Sequence, residues 1–220
     1  IDRDPTLLAL AQENARVSEL LPAFVHALEV LLRHHLELAR RMTPTVGYRG
    51  GIATYEARRL AVGFADLTGS TALAARVDFT DLAAALEAFE QLATDVVHRY
   101  GGRVVKLIGD EVMFSAGDAT AACAIANDLV DEASTRPELP ALRVGVAVGD
   151  VLVRAGDCFG PVVNLAARLV DRAEPDTVLL PAAAVAELDP ARFESADATT
   201  MELRGFDDPV PVMCVYRARR

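Results

Sequence analysis

The sequence predicts an α+β fold of ferredoxin-like type, βαββαβ in order, with helices covering one face of a mainly antiparallel sheet. Three observations carry this. Apolar runs of strand length alternate with longer stretches of helical period between residues 59 and 180. Two strand-like runs meet at one tight turn, Gly109-Asp110, which reads as a hairpin. With 52% hydrophobic and 25% charged residues over 220 positions, the chain also has the material for a sizeable core.

The elements follow in order. Residues 1–42 read as helical, with Pro5 in a first turn and Pro22 as a break, kink or second start. Val17, Leu21, Phe24, Leu28, Leu31, His35, Leu38 and Met42 recur at alternating spacings of four and three. That is heptad spacing, and it fits either one helix of a larger helical domain or a dimer-forming helix. Residues 43–58, with Pro44, Gly47, Gly50 and Gly51, read as a linker. The unit at 59–220 starts with a buried strand, Leu60 to Ala65, that ends in Asp66. A turn, Leu67-Thr68-Gly69-Ser70-Thr71, leads into a helix. The face Leu82, Leu86, Phe89, Ala93, Val96 and Val97 predicts a helix stopped by Gly101-Gly102. Strands at 103–108 and 111–115, a helix near 118–133 and a strand at 142–148 complete the pattern. A short loop, a helix near 161–172, a strand at 177–180 and a closing strand at 211–216 come after it.

Composition limits the function. A formal charge of −10 argues against nucleic-acid binding, which needs a basic face. It still permits a nucleotide ligand held by local basic groups and metal ions. Three scattered cysteines, Cys123, Cys158 and Cys214, suggest neither a disulfide framework nor a zinc cluster and fit a reducing cytoplasm. No apolar run approaches the roughly 18 residues of a membrane span. No signal peptide is visible, and a first residue of isoleucine suggests a piece of a longer protein.

The chemistry gathers at three places. Asp66 ends an apolar strand and Asp110 tips the hairpin; in a ferredoxin-like sheet these are neighbours, so the carboxylates can converge. Hard oxygen ligands with open positions suit Mg²⁺ or Mn²⁺, and two such ions roughly 3.5–4 Å apart serve in-line phosphoryl displacement. The turn Thr68, Gly69, Ser70 and Thr71 offers backbone N–H groups at a helix start, a site suited to phosphate. Further on, Asn164 and Arg168 stand four apart on one helical face. Arginine there can stabilise charge on a transferring phosphoryl group, and an amide can orient a hydroxyl. Taken alone, that arginine also fits a solvated helix face.

Together FADLTGST (64–71), KLIGDEVMF (106–114), RVGVAVGDV (143–151) and DCFGPVVNLAARL (157–169) closely resemble the catalytic domain of class III nucleotidyl cyclases. LRGFDDPVPVMCVYR (203–217) resembles that domain's closing strands. The resemblance implies that Asp66 and Asp110 bind two Mg²⁺ or Mn²⁺ ions per active site, with the Leu67 carbonyl as an extra ligand. It implies that Lys106 contacts adenine and Asp157 its exocyclic amine, that Asn164 orients the ribose, and that Arg168 stabilises the pentavalent phosphorus. The reaction implied is attack of the ribose 3′-oxygen on the α-phosphate of ATP, giving cyclic AMP and pyrophosphate. It also implies a homodimer with two symmetric sites, each taking its metal aspartates from one chain and the remaining groups from the other.

Lys106, the only lysine in the chain, makes sense as half of a base reader. Lysine only donates and a carboxylate only accepts, which matches adenine's ring nitrogen and amine and opposes guanine's carbonyl and ring N–H. Guanylyl cyclases often carry a cysteine in place of the base-reading aspartate and Cys158 is one residue away, so a guanylyl cyclase is one alternative, although counting back three from Gly160 selects Asp157. A diguanylate cyclase would share the topology, but it needs none of Lys106, Asp157, Asn164 and Arg168. A catalytically silent cyclase-like domain for dimerisation or nucleotide sensing is the rival from another class. The N-terminal segment is read as regulatory. His26, His34 and His35 fall in the titration range of a pH switch, and they read equally as surface residues.

Overall fold

A computed structural model describes residues 57–70 and 77–218, the strands at 47–49 and 52–54, and positions 29 and 32. The heptad positions, the three N-terminal histidines and Thr71 lie outside the described residues. Two units divide the chain, Ile1–Thr43 and Pro44–Arg220, and the strands and helices named here belong to the second. Inside the span read as a linker, β1 (Gly47–Arg49) and β2 (Ile52–Thr54) pair antiparallel as a small separate hairpin.

The βαββαβ order is present. It runs β3 (Arg58–Leu67), α1 (Phe79–Arg99), β4 (Arg103–Ile108), β5 (Glu111–Ala116), α2 (Ala119–Ser134) and β6 (Leu142–Arg154). Then come β7 (Asp157–Phe159), α3 (Pro161–Arg172), β8 (Thr177–Pro181), α4 (Ala182–Val185), β9 (Phe193–Ser195), β10 (Thr199–Met201) and β11 (Val210–Arg217). The main sheet is ordered β10-β11-β8-β6-β3-β5-β4, with β7 on β6 and β9 on β11. Among the described strands only the β6–β8 pair is parallel.

Local chemistry explains the helices. Asp78 caps α1 by accepting from the backbone N–H groups of Thr80 and Asp81 at 2.8 and 2.9 Å. Asp118 does the same for α2 through Ala121 N–H at 2.7 Å. Pro161 opens α3, where a missing N–H costs nothing.

The two helices of the βαββαβ unit share a face as expected, but α3, which follows that unit, covers the other face. β3 is buried on both sides, so each side needs cover. Ala61, Ala65 and Leu67 pack with Phe89, Leu92, Val96, Ile125 and Leu129 from α1 and α2. Val62 and Phe64 pack instead with Ala166, Leu169 and Val170 from α3, on the opposite face. Two glycines permit these close approaches. A Cβ on Gly63 would lie 2.1 Å from the Phe114 ring, and one on Gly145 would lie 2.3 Å from the backbone N of Val170 in α3.

β6 also runs further than the sequence suggested, to Arg154 rather than Val148. Val151 and Val153 stay buried and continue the alternation, so the strand goes on. A two-residue turn, Ala155-Gly156, then folds β7 back with Arg154 opposite Asp157. Both turn residues have positive φ, 50° and 82°, as tight hairpins require. At the far end, Arg217 and Tyr100 both donate to Asp128, Tyr100 at 2.5 Å, tying β11 to the two helices of the first face.

Candidate active site

The site grows out of register. Asp66 on β3 sits opposite Glu111 on β5 and opposite Arg143 on β6. Directly paired residues face the same side, so these three side chains form a row across the sheet. Leu67 N–H donates to the Asp110 carbonyl at 3.2 Å, which holds the hairpin tip against the end of β3. The turn after it is pinned by Thr68, whose N–H and hydroxyl both donate to the Ala141 carbonyl at 2.8 Å. Asp66, Leu67, Gly69, Ser70, Ile108, Asp110, Glu111, Arg143 and Asp171 line one open cleft of about 410 Å³. The predicted convergence of Asp66 and Asp110 is therefore present, with Leu67, Gly69 and Ser70 beside them.

Sequence reasoning missed the three other charged members of this cleft, Arg143, Glu111 and Asp171. Arg143 donates from Nε and Nη2 to one oxygen of Asp66, at 2.8 and 2.6 Å, and from Nη1 to the Asp171 carbonyl at 3.2 Å. Glu111 has no local mark beyond its place next to Asp110, and Asp171 has none at all. Arg143 does carry a signal, as the one charge at the head of an apolar strand.

Electrostatically the cleft is short of positive charge. Burial raises the Asp66 pKa, Asp110 and Asp171 add to the rise, and Arg143 offsets only part of it. Burial pushes Glu111 up to about 7, with Asp66, Asp171 and Asp110 adding repulsion. Among the described residues no three His, Cys, Asp or Glu side chains form a ready metal cage. The donor set, however, fits a hard divalent cation. Carboxylate and carbonyl oxygens gather where negative charge is uncompensated, and such ions keep positions for water and phosphate.

Lys106, Asp157, Asn164 and Arg168 do not line this cleft, although Arg168 reaches its edge at Asp171. Lys106 Nζ donates to both oxygens of Asp157, at 3.1 and 2.8 Å, joining β4 to β7. Cys158 N–H donates to Asp157 as well, at 2.8 Å. The Lys106 hydrogen bond holds the Asp157 carboxyl below its usual range, against an opposing effect of burial. Asn164 is exposed on α3, and Arg168 on the same face donates to Asp171 at 3.1 Å. The core side of α3 is Ala166, Leu169 and Val170, so the polar stripe points outward.

Known proteins resemble this chain in sequence and in fold. The family described as Adenylate and Guanylate cyclase catalytic domain matches residues 52–216. An adenylate cyclase of Streptomyces coelicolor is 49% identical over 131 residues, 60% of this chain and 34% of that protein. An adenylate cyclase of Glutamicibacter nicotianae is 37% identical, across 91% of this chain and 54% of the relative. The chain thus spans between a third and a little over half the length of these relatives. Among solved structures, the adenylyl cyclase CyaB from P. aeruginosa has the same fold, with a TM-score of 0.68 at 24% identity over 75% of this chain and 97% of that one. With the sheet order, the acidic cleft and a match over most of its length, this chain belongs to the adenylate and guanylate cyclase catalytic domain family.

Proposed function

We propose that this chain is the catalytic part of an adenylyl cyclase that converts ATP to cyclic AMP and pyrophosphate. One observation carries the reading. The chain holds an acidic cleft suited to cations and phosphate, and apart from it a Lys106–Asp157 pair suited to a purine edge, with neither complete alone. Two chains related by a two-fold axis would join the cleft of one to the pair of the other, making two equivalent sites.

In each site Asp66, Asp110 and the Leu67 carbonyl hold two Mg²⁺ or Mn²⁺ ions. Those ions supply charge neutralisation on the phosphates and activation of the attacking oxygen. The turn Thr68 to Thr71 receives phosphate oxygens on the N–H groups of Gly69, Ser70 and Thr71, while Thr68, whose N–H and hydroxyl are committed to the Ala141 carbonyl, fixes the turn. Lys106 donates to a ring nitrogen of adenine and Asp157 accepts from its amine. Asn164 orients the ribose, and Arg168 places its guanidinium on the charge that develops at the α-phosphorus. The relatives named adenylate cyclase support this substrate.

Among the described residues no helix is long and apolar enough to cross a membrane. The reading places the reaction in the cytoplasm and assigns residues 1–42 a regulatory role, setting how two catalytic units meet. Incubation with ATP and Mn²⁺ or Mg²⁺ tests the function. Cyclic AMP and pyrophosphate in equal amounts are expected. No product with either metal from a dimeric protein would leave the reading of a silent dimerisation or sensing domain.

A further inference from the structure

The Lys106–Asp157 pair stands on a support that no sequence motif marks. Arg103 opens β4 three residues before Lys106. In a regular strand an odd spacing puts two side chains on opposite faces. Here the register shifts between Val104 and Lys106, and the extra residue cancels that alternation. Arg103 faces Ser115 and Lys106 faces Met113 across β5, two residues apart and therefore on one face.

Both side chains reach the β6–β7 hairpin. Lys106 takes the Asp157 carboxylate, and Arg103 Nη2 donates to the carbonyl of Gly156, the residue just before it. A methyl group on Gly156 would lie 3.6 Å from Arg103 Nη1, and the Cys158 thiol lies beside the same guanidinium. The turn itself is not relaxed, since Ala155 is held at φ 50°, where L side chains rarely sit. Arg103 accepts a cost too: its Nε is buried with no hydrogen-bond partner among the described residues. A strained turn and an unmatched donor persist together where a geometry is held by its surroundings.

We propose that Arg103 is a positioning residue for base selection. By holding the Gly156 carbonyl, it fixes where the Asp157 carboxylate stands beside Lys106, and so favours a purine that presents an amine there. This rests on the reading of Lys106 and Asp157 as base contacts.

The test compares ATP with inosine triphosphate, which carries a carbonyl in place of the amine. kcat and KM are measured for both substrates in the wild-type dimer and in Arg103→Lys, Arg103→Leu, Asp157→Ala and the Arg103→Lys/Asp157→Ala double variant. Lysine keeps the charge but not the planar fork, so Arg103→Lys is the decisive variant even where Arg103→Leu fails to fold. The expected result is an ATP preference reduced about tenfold to a hundredfold, as for a misplacement of about 1 Å. The loss should come through the KM for ATP, and the double variant should lose no more than Asp157→Ala alone. An Arg103→Lys enzyme that keeps the wild-type preference, or loses kcat equally on both substrates, overturns the positioning role. If Asp157→Ala itself keeps the preference, the base-contact reading beneath it falls instead.

Discussion

Arg143 meets Asp66 at 2.6 Å and Lys106 meets Asp157 at 2.8 Å, yet the two carboxylates shift in opposite directions. Asp66 is raised, chiefly by burial, with Asp110 and Asp171 adding to the effect. Asp157 is more exposed and has one dominant partner, so Lys106 lowers it. The same kind of ion pair therefore leaves one cluster short of positive charge and the other balanced. The first environment favours an added cation. The second favours a ligand edge that offers one acceptor and one donor in exchange for the pair's own contact. Each cluster suits a different part of a metal-bound nucleotide, which is why the division within one chain matters.

The largest test breaks the acidic cluster. Asp66→Asn keeps an acceptor for Arg143 but removes the charge, and should cut cyclic AMP formation on the order of a thousandfold at saturating Mn²⁺. Folding, followed by thermal melting, should survive. At the other cluster, Lys106→Met should lower kcat/KM for ATP about tenfold to a hundredfold, mainly through KM. The Asp157 carboxyl should then titrate closer to its ordinary range by NMR, because its largest lowering influence is gone.

The smallest test sharpens the electrostatic contrast. Glu111 titrates at about 7 when folded, above its ordinary 4.5, so the folded state holds a proton that the unfolded state releases between those values. Its contribution to stability therefore falls as pH rises through that window. In EDTA, Glu111→Gln should be more stable than the wild type at pH 8, on the order of 1–2 kcal/mol after allowing for its partial exposure, from a shift to about 7. At pH 4 the two should melt alike. Equal stability at pH 8 would mean the cleft is not short of positive charge.

Much of this is legible in the sequence. The strand and helix order follows from periodicity, and Asp66 and Asp110 are marked by their places at a strand end and a turn, whereas Lys106 and Asp157 are picked out as a pair by the resemblance to the cyclase motifs. The missing parts are those set by register between distant segments. Arg143 and Glu111 meet Asp66 because β6 and β5 flank β3, and no local pattern states that pairing. Arg103 reaches the Gly156 carbonyl only because a bulge breaks the alternation of β4. The face taken by α3 is not legible either, because β3 is apolar on both sides and offers two places to pack. β6 is longer than the predicted strand at 142–148 because the buried alternation resumes at Val151.

The shared site is tested most directly by complementation. Asp66→Asn chains lack an intact cation cluster and Arg168→Ala chains lack the transition-state arginine, so each homodimer should be nearly inactive. Mixed in equal amounts and allowed to exchange, half the dimers would be mixed, each with one intact site of two, restoring about a quarter of wild-type activity. No recovery, in a mixture shown to contain heterodimers, would contradict a site built from two chains.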